Sequence, residues 1–202
     1  MDEAEFRAEY EKRTSVYARV AASIHQDFES CLKGISGIDR VAFRIKGVDS
    51  ICEKIYRRKA GKYKHPFVDV EDQIAGRIIV FFPSTITSVR EILTSRYNAV
   101  EDIIKQPSDF DRFGYQSLHL VVNIPPQCIC RSWEEFDLKP ESFEVQVRTI
   151  FMHAWAEPQH DLLYKGEDTL TEDQKRSLYW VAASAWGCDK VYNEINEGKN
   201  KK

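Results

Sequence analysis

The run Ile74-Ala75-Gly76-Arg77-Ile78-Ile79-Val80-Phe81-Phe82 is nearly continuous in apolar residues and is closed by Pro83. A short apolar run bounded by a breaker reads as a buried central strand, and a strand of that kind needs layers packed around it. Arg77 interrupts the run. An unpaired arginine there would be expensive to bury, so it must meet a carboxylate or a ligand, or lie where the sheet opens to solvent. Gly76 removes a side chain next to it and lets another group come close. Asp72 precedes the run, so a purely structural arginine–aspartate pair competes with a functional reading.

The rest of the chain supplies the layers. Apolar residues at helical spacing (Phe6, Tyr10, Tyr17, Val20, Ile24, Phe28) predict one or two helices between Glu3 and Lys33. Val41 to Lys46 alternates as a strand with Val41, Phe43 and Ile45 inward. Gly47 breaks it, and Asp49 or Ser50 is placed to cap the helix that follows. Ser84–Tyr97 reads as a helix, Val100–Ile104 and Ser117–Ile124 as strands, and Phe143–Arg148 as a further strand. Ile150–Tyr164 and Glu172–Ile195 read as helices, and the polar end from Glu197 as a frayed tail. This order predicts an α+β fold, a mixed sheet of about five strands flanked by helices. We divide it into an N-terminal helical segment (1–36) packed on the same domain, a core (37–166), and a C-terminal helix with a polar tail (167–202).

At 202 residues and 43% hydrophobic composition the chain can bury a substantial core. No apolar run approaches the roughly 20 residues of a membrane span. The start, Met1-Asp2-Glu3-Ala4-Glu5, is acidic and unlike a secretory signal. Five scattered cysteines without zinc spacing read as reduced thiols, and a cytoplasmic location is expected. A net charge of -3 argues against broad capture of duplex nucleic acid. Locally, Lys54, Arg57, Arg58, Lys59, Lys62 and Lys64 make a basic run, either a solvated helix face or part of a site.

The chemistry concentrates in Phe143-Glu144-Val145-Gln146-Val147-Arg148. Alternation sends Val145 and Val147 into the core and lines up Glu144, Gln146 and Arg148 on the other face. A carboxylate that can hold a metal beside a guanidinium that can hold phosphate is what phosphoryl chemistry uses. Arg44 and Lys46 share the outward face of the first strand, and Lys54 lies two turns along the next helix. Three cations there can hold a polyphosphate. Tyr115, beside Gly114, is a stacking platform and shares a face with Ser117 and His119 if that strand starts early. His153, Glu157, His160 and Tyr164 fall on one helix face. Their spacing is not that of a zinc helix, and Pro158 sits among them, so a polar face bordering a pocket is expected. Neither GxxxxGK[ST] nor GxGxxG is present, so a nucleotide would be held by side chains and metal.

Taken in order, Arg44-Ile45-Lys46 with Ser50 and Lys54, the D-x-x-x-x-R element from Asp72 to Arg77, GYQSLH at 114–119, EVQVRT at 144–149, and the helix with His160 and Tyr164-Lys165 resemble the synthetase domain of the RelA/SpoT family in its small, single-domain form. The resemblance implies a nucleotidyltransferase-like sheet and a pyrophosphokinase. Such an enzyme moves the β,γ-pyrophosphate of ATP to the 3′-hydroxyl of GDP or GTP and releases AMP. By the same resemblance Asp72 and Glu144 hold Mg2+ and, with Arg77, form the catalytic set. Arg44, Lys46, Ser50, Lys54 and Arg77 bind ATP. Tyr115 stacks on the acceptor base, and Ser117, His119, Gln146 and Arg148 line or support the acceptor side.

Many alarmone synthetases carry a Lys-Asp-Tyr element and further cations before the GY motif. Here Lys105–Phe113 holds fewer cations and two aspartates, which would repel a 5′-phosphate. A second acceptor class therefore stays open: the 3′ end of tRNA, or an adenosine nucleotide, as in toxic synthetases that need a neutralising antitoxin. A non-catalytic nucleotide sensor is a third reading, and the presence of both carboxylates ranks it last. A homo-oligomer and a separate hydrolase for the product complete the expectations.

Overall fold

The computed structural model describes residues 1–107, 113–114, 116–163 and 170–200, without the side chains of His160, Asp161, Leu163 and Asn200. The elements run α1 (Glu3–Leu32), β1 (Ile38–Ile45), α2 (Val48–Glu53), α3 (Pro66–Asp69), β2 (Ile74–Val80), α4 (Pro83–Arg96), β3 (Ala99–Lys105), β4 (Ser117–Asn123), β5 (Ser142–Thr149), α5 (Ile150–Leu163) and α6 (Glu172–Asn200). The strands form one mixed sheet in the order β1-β2-β5-β4-β3. Only β2 and β5 are parallel; the other neighbours are antiparallel. The expected α+β class and five-stranded sheet are what the chain forms.

The segment expected as one or two helices is a single 30-residue helix, α1. Asp2 caps it through a reciprocal box: its carboxylate accepts from the Glu5 amide (2.9 Å), and Glu5 accepts from the Asp2 amide (3.1 Å). The apolar stripe of α1 covers one face of the sheet, where Phe28 packs near Phe43, Tyr97 and Phe143. Val145 and Val147 are fully buried in this core, as their alternation requires.

Two boundaries depart from expectation. Neither Asp49 nor Ser50 caps α2: the capping position is Gly47, without a side-chain bond. Asp49 instead pairs with Arg7 on α1 at 2.7 Å, and Ser50 is exposed. The C-terminal residues from Glu197 continue α6 to Asn200 rather than fraying. Tyr192, Glu194, Ile195 and Glu197 favour or tolerate helix, and Gly198 alone does not end it.

Gly76 does admit another group, and that group is the ring of Phe43, its partner in the β1–β2 register. A Cβ at position 76 would lie 2.7 Å from the ring edge. Gly76→Ala therefore forces Phe43 off its seat, and we expect a loss of about 1–3 kcal/mol, as for an overpacked core. Urea unfolding checks it; a variant as stable as wild type would show that the ring moves freely.

Candidate active site

The face of the sheet turned away from α1 carries the polar residues, and the strand register arranges them in rows. One row crosses all five strands: Arg44 (β1), Ala75 (β2), Glu144 (β5), Val121 (β4) and Glu101 (β3). The next row is Ala42, Arg77, Gln146, His119 and Ile103. Ala75 and Ala42 are small, which leaves room above the sheet between Arg44, Arg77 and Glu144.

Asp72 sits in a tight turn (Glu71–Gln73) that enters β2, so it stands at the same end of the parallel pair as Glu144. The neighbouring Gln73 side chain is wholly buried and donates to the carbonyls of Phe67 (3.0 Å) and Val70 (2.8 Å). Gln73's carbonyl accepts from the Lys46 amide at 2.9 Å, while the Tyr10 hydroxyl donates to the Lys46 carbonyl at 2.9 Å. These bonds fix Lys46 against Asp72. Lys54 arrives from the other side, where the helix after α2 widens into a turn closed by the Lys59 amide on the Lys54 carbonyl (3.0 Å). Widened turns of this kind recur at functional sites.

The result is a two-lysine clamp. Lys46 Nζ lies 2.8 Å from Asp72 Oδ2 and Lys54 Nζ lies 2.6 Å from Oδ1, with all three side chains mostly shielded. Burial opposes ionisation of Asp72, but the two ammonium groups outweigh it and hold the carboxyl below its usual range. Lys54 also lies 5.9 Å from the Tyr63 ring centre, a contact that sequence reading missed.

Glu144 is held by a different set. His119 Nδ1 lies 2.5 Å from Glu144 Oε1, and Gln146 Nε2 donates to the same oxygen at 3.2 Å. Gln146 Oε1 in turn accepts from Arg148 at 2.5 Å. Burial raises the Glu144 carboxyl, and the bonds from His119 and Gln146 more than reverse it, leaving it below the ordinary value. The negative charge of Asp72 pushes the other way on Glu144, so the two carboxylates feel one another.

Arg77 is part-exposed and finds a carboxylate, as its place in an apolar strand demanded. The partner is Glu157 on α5, at 2.7 Å, not Asp72. Arg148, almost wholly buried, lies 3.5 Å from the same carboxylate, and His153 3.6 Å. The helix face expected to border a pocket thus supplies the anchor of two site arginines; the spacing from Arg148 to Glu157 placed it near, but the sequence did not identify the pair. Glu71 was also missed. Burial, with the charges of Glu101 and Glu144, raises its carboxyl.

Of the other expected residues, Arg44 is exposed on the edge strand and Ser50 on the first turn of α2. Ser117 is buried, its hydroxyl donating to the carbonyls of Leu118 and Val147 at 3.2 Å. Tyr115, Tyr164, Lys165, the 108–112 loop and the side chain of His160 lie outside the described residues.

Among the described residues no group of three or more His, Cys, Asp and Glu could hold a metal ion. Asp72 and Glu144 are two, both kept ionised. Two carboxylates with substrate oxygens and water are the donor set that suits Mg2+, which rarely takes a full protein cage. No described helix is long and apolar enough to cross a membrane.

The model of the region found in RelA and SpoT proteins matches residues 43–169. The chain is 33% identical over 162 residues to the GTP pyrophosphokinase YjbM of Bacillus subtilis (strain 168), spanning 79% of this chain and 72% of that one. Its fold is similar to the crystal structure of small alarmone synthetase 1 from Bacillus subtilis bound to its product pppGpp (TM-score 0.74, 28% identity, 96% of this chain and 100% of that one). The same synthetase bound to AMPCPP matches with TM-score 0.74 and 26% identity over 96% of this chain and 99% of that one.

Proposed function

The chain belongs to the RelA/SpoT family, and from that premise we propose that it transfers the β,γ-pyrophosphate of ATP to the 3′-hydroxyl of a guanosine nucleotide, GDP or GTP, with release of AMP. The observation that carries this reading is the pair of ionised carboxylates, Asp72 and Glu144, at one end of β2 and β5, beside the cations Lys46, Lys54 and Arg44. Relatives named GTP pyrophosphokinase, and synthetase structures with pppGpp and with AMPCPP, support the same substrates.

In this reading the acceptor's 3′-oxygen bonds to the β-phosphorus while the bond from that phosphorus to the α–β bridging oxygen breaks, and AMP leaves. The 3′-hydroxyl proton passes to the Glu144 carboxylate, whose orientation His119 and Gln146 fix. Lys46, Lys54, Arg44 and Arg77 neutralise and align the triphosphate, the main task in phosphoryl transfer. Asp72 and Glu144 are the residues that would hold Mg2+, which when bound neutralises charge on the phosphate oxygens. Arg148 positions Gln146 from below.

The test is incubation of the chain with γ-labelled ATP, Mg2+ and separately GDP, GTP, GMP, ATP and deacylated tRNA. Label on GDP or GTP is expected. Label on tRNA or on an adenosine nucleotide instead would replace the acceptor, and label on none would leave a nucleotide sensor. Tyr115→Ala is expected to weaken acceptor binding by about 1–3 kcal/mol, the worth of one stacked base. ATP binding should change much less, and equal losses for both nucleotides in calorimetry would make Tyr115 structural. A homo-oligomer is supported by α6, which exposes Trp180, Tyr192 and Ile195; light scattering of the purified chain decides it.

A further inference from the structure

A cavity of about 560 Å³ lies at the other end of the sheet from Asp72, between α4, α6 and the starts of β4 and α5. Its wall is mostly apolar: Ile86 on α4, Ile104 on β3, Leu118 on β4, Met152 on α5 and Trp186 on α6. Neither Asp72, Glu144, Lys46, Lys54 nor Arg77 lines it; of the described candidate site residues only Ser117 reaches its wall, through a hydroxyl already committed to backbone carbonyls.

Two acids line this space, Asp189 and Glu194 on α6; Glu194 is exposed and Asp189 is buried. Asp189 on α6 is 6% exposed. Its Oδ2 accepts from the Thr149 hydroxyl at 2.7 Å, and that hydroxyl accepts from the Met152 amide at 3.1 Å, which seats the first turn of α5. Its Oδ1 is buried and has no hydrogen-bond partner among the described residues. A buried carboxylate oxygen without a donor is costly. Burial accordingly pushes the Asp189 carboxyl up to about 6, and the Thr149 bond only partly offsets it. At the rim, the Trp186 face already receives an ammonium group, that of Lys190, 5.6 Å from the ring centre.

A buried carboxylate with one oxygen lacking a donor, on a residue lining a mostly apolar chamber that Trp186 also lines, is complementary to one kind of guest. We propose that this cavity is a binding site for a small organic cation with an apolar body, its ammonium group held by the Asp189 carboxylate and its hydrocarbon part lying against Ile86, Leu118 and Met152. The volume is in the ordinary range for small-molecule sites, roughly 300–1,000 Å³. Neither the pyrophosphate transfer nor its substrates enter this inference, so each can fail alone.

Calorimetric titration of the full chain with benzylamine, benzyl alcohol and benzoate tests it. Benzylamine is expected to bind in the millimolar range or tighter and benzoate not at all. Asp189→Asn keeps an acceptor for Thr149 while removing the charge, and should weaken benzylamine by at least about tenfold, as loss of a charged hydrogen bond would. Ile86→Trp, which fills the chamber from a different element, should abolish binding; circular dichroism confirms that both variants fold. Four results would each overturn the proposal: no benzylamine binding to the wild type; benzyl alcohol or benzoate binding as tightly as benzylamine; benzylamine affinity unchanged in both variants; or displacement of benzylamine by GDP, which would make the cavity part of the acceptor site.

Discussion

Replacing Glu144 with glutamine is expected to lower pyrophosphate transfer by roughly 10²–10⁴-fold, the usual worth of a positioned general base. The exchange keeps the shape of the side chain and an oxygen where Gln146 donates, so the fold is expected to lose no more than about 1 kcal/mol. What disappears is the charge, and with it both the proposed proton acceptor and one of the two carboxylates proposed to hold Mg2+. The bonds from His119 and Gln146 keep the wild-type carboxyl ionised below the ordinary carboxylate range. Turnover by the wild type should therefore persist on the acid side until pH falls below that range, and the residual activity of the variant should lack this limb. Single-turnover assays with labelled ATP across pH decide it; near-wild-type turnover by Glu144→Gln would remove the residue from the chemistry.

How far the sequence reveals this site depends on what carries each contact. Alternation along Phe143–Arg148 is a local rule, and it correctly put Glu144, Gln146 and Arg148 on one face and Val145 and Val147 in the core, but it did not show that Arg148 is buried on its face. The apolar run at Ile74 placed the central strand and demanded a partner for Arg77 by an argument about buried charge alone. Which carboxylate answers that demand is a tertiary matter. Asp72 was nearer in sequence, but Glu157, which lies eighty positions on, is brought there by α5 folding back after β5. The clamp on Asp72 was equally hidden. Lys46 and Lys54 were legible as cations near a polyphosphate, yet nothing local shows that both converge on one carboxylate through a turn locked by buried Gln73. Helix caps failed for a similar reason: Asp49 has the chemistry of a cap, but Arg7, on another helix, holds it instead.

Asp72→Asn should reveal what the clamp does, because its two consequences have separate readouts. In the wild type both ammonium groups lean on one carboxylate, with side-chain exposures of only 15% for Asp72, 18% for Lys46 and 21% for Lys54. An amide gives them an oxygen but no charge, so two shielded cations are left facing one another. Stability is expected to fall by roughly 2–4 kcal/mol, as when one member of a largely buried charged set is removed. The pH dependence fixes the cause. Lys46 and Lys54 depress the folded carboxyl below its unfolded value, so its contribution is fully present above the ordinary aspartate range and is lost as pH falls through the folded value. Wild type and variant should thus converge in stability toward acid and diverge toward neutrality, in urea unfolding at a series of pH values. Transfer should fall at least about 10²-fold as well, since under the proposed function the reacting phosphates lose one of the two carboxylates that would hold Mg2+. Lys46→Met separates the two effects. It relieves the crowding of cations while keeping Asp72, so it should lose ATP affinity but not the acid-dependent slope that Lys54 still supports. A stability gap between Asp72→Asn and wild type that stays constant with pH would mean that the clamp is not electrostatic, and the arrangement of cations around Asp72 would need another explanation.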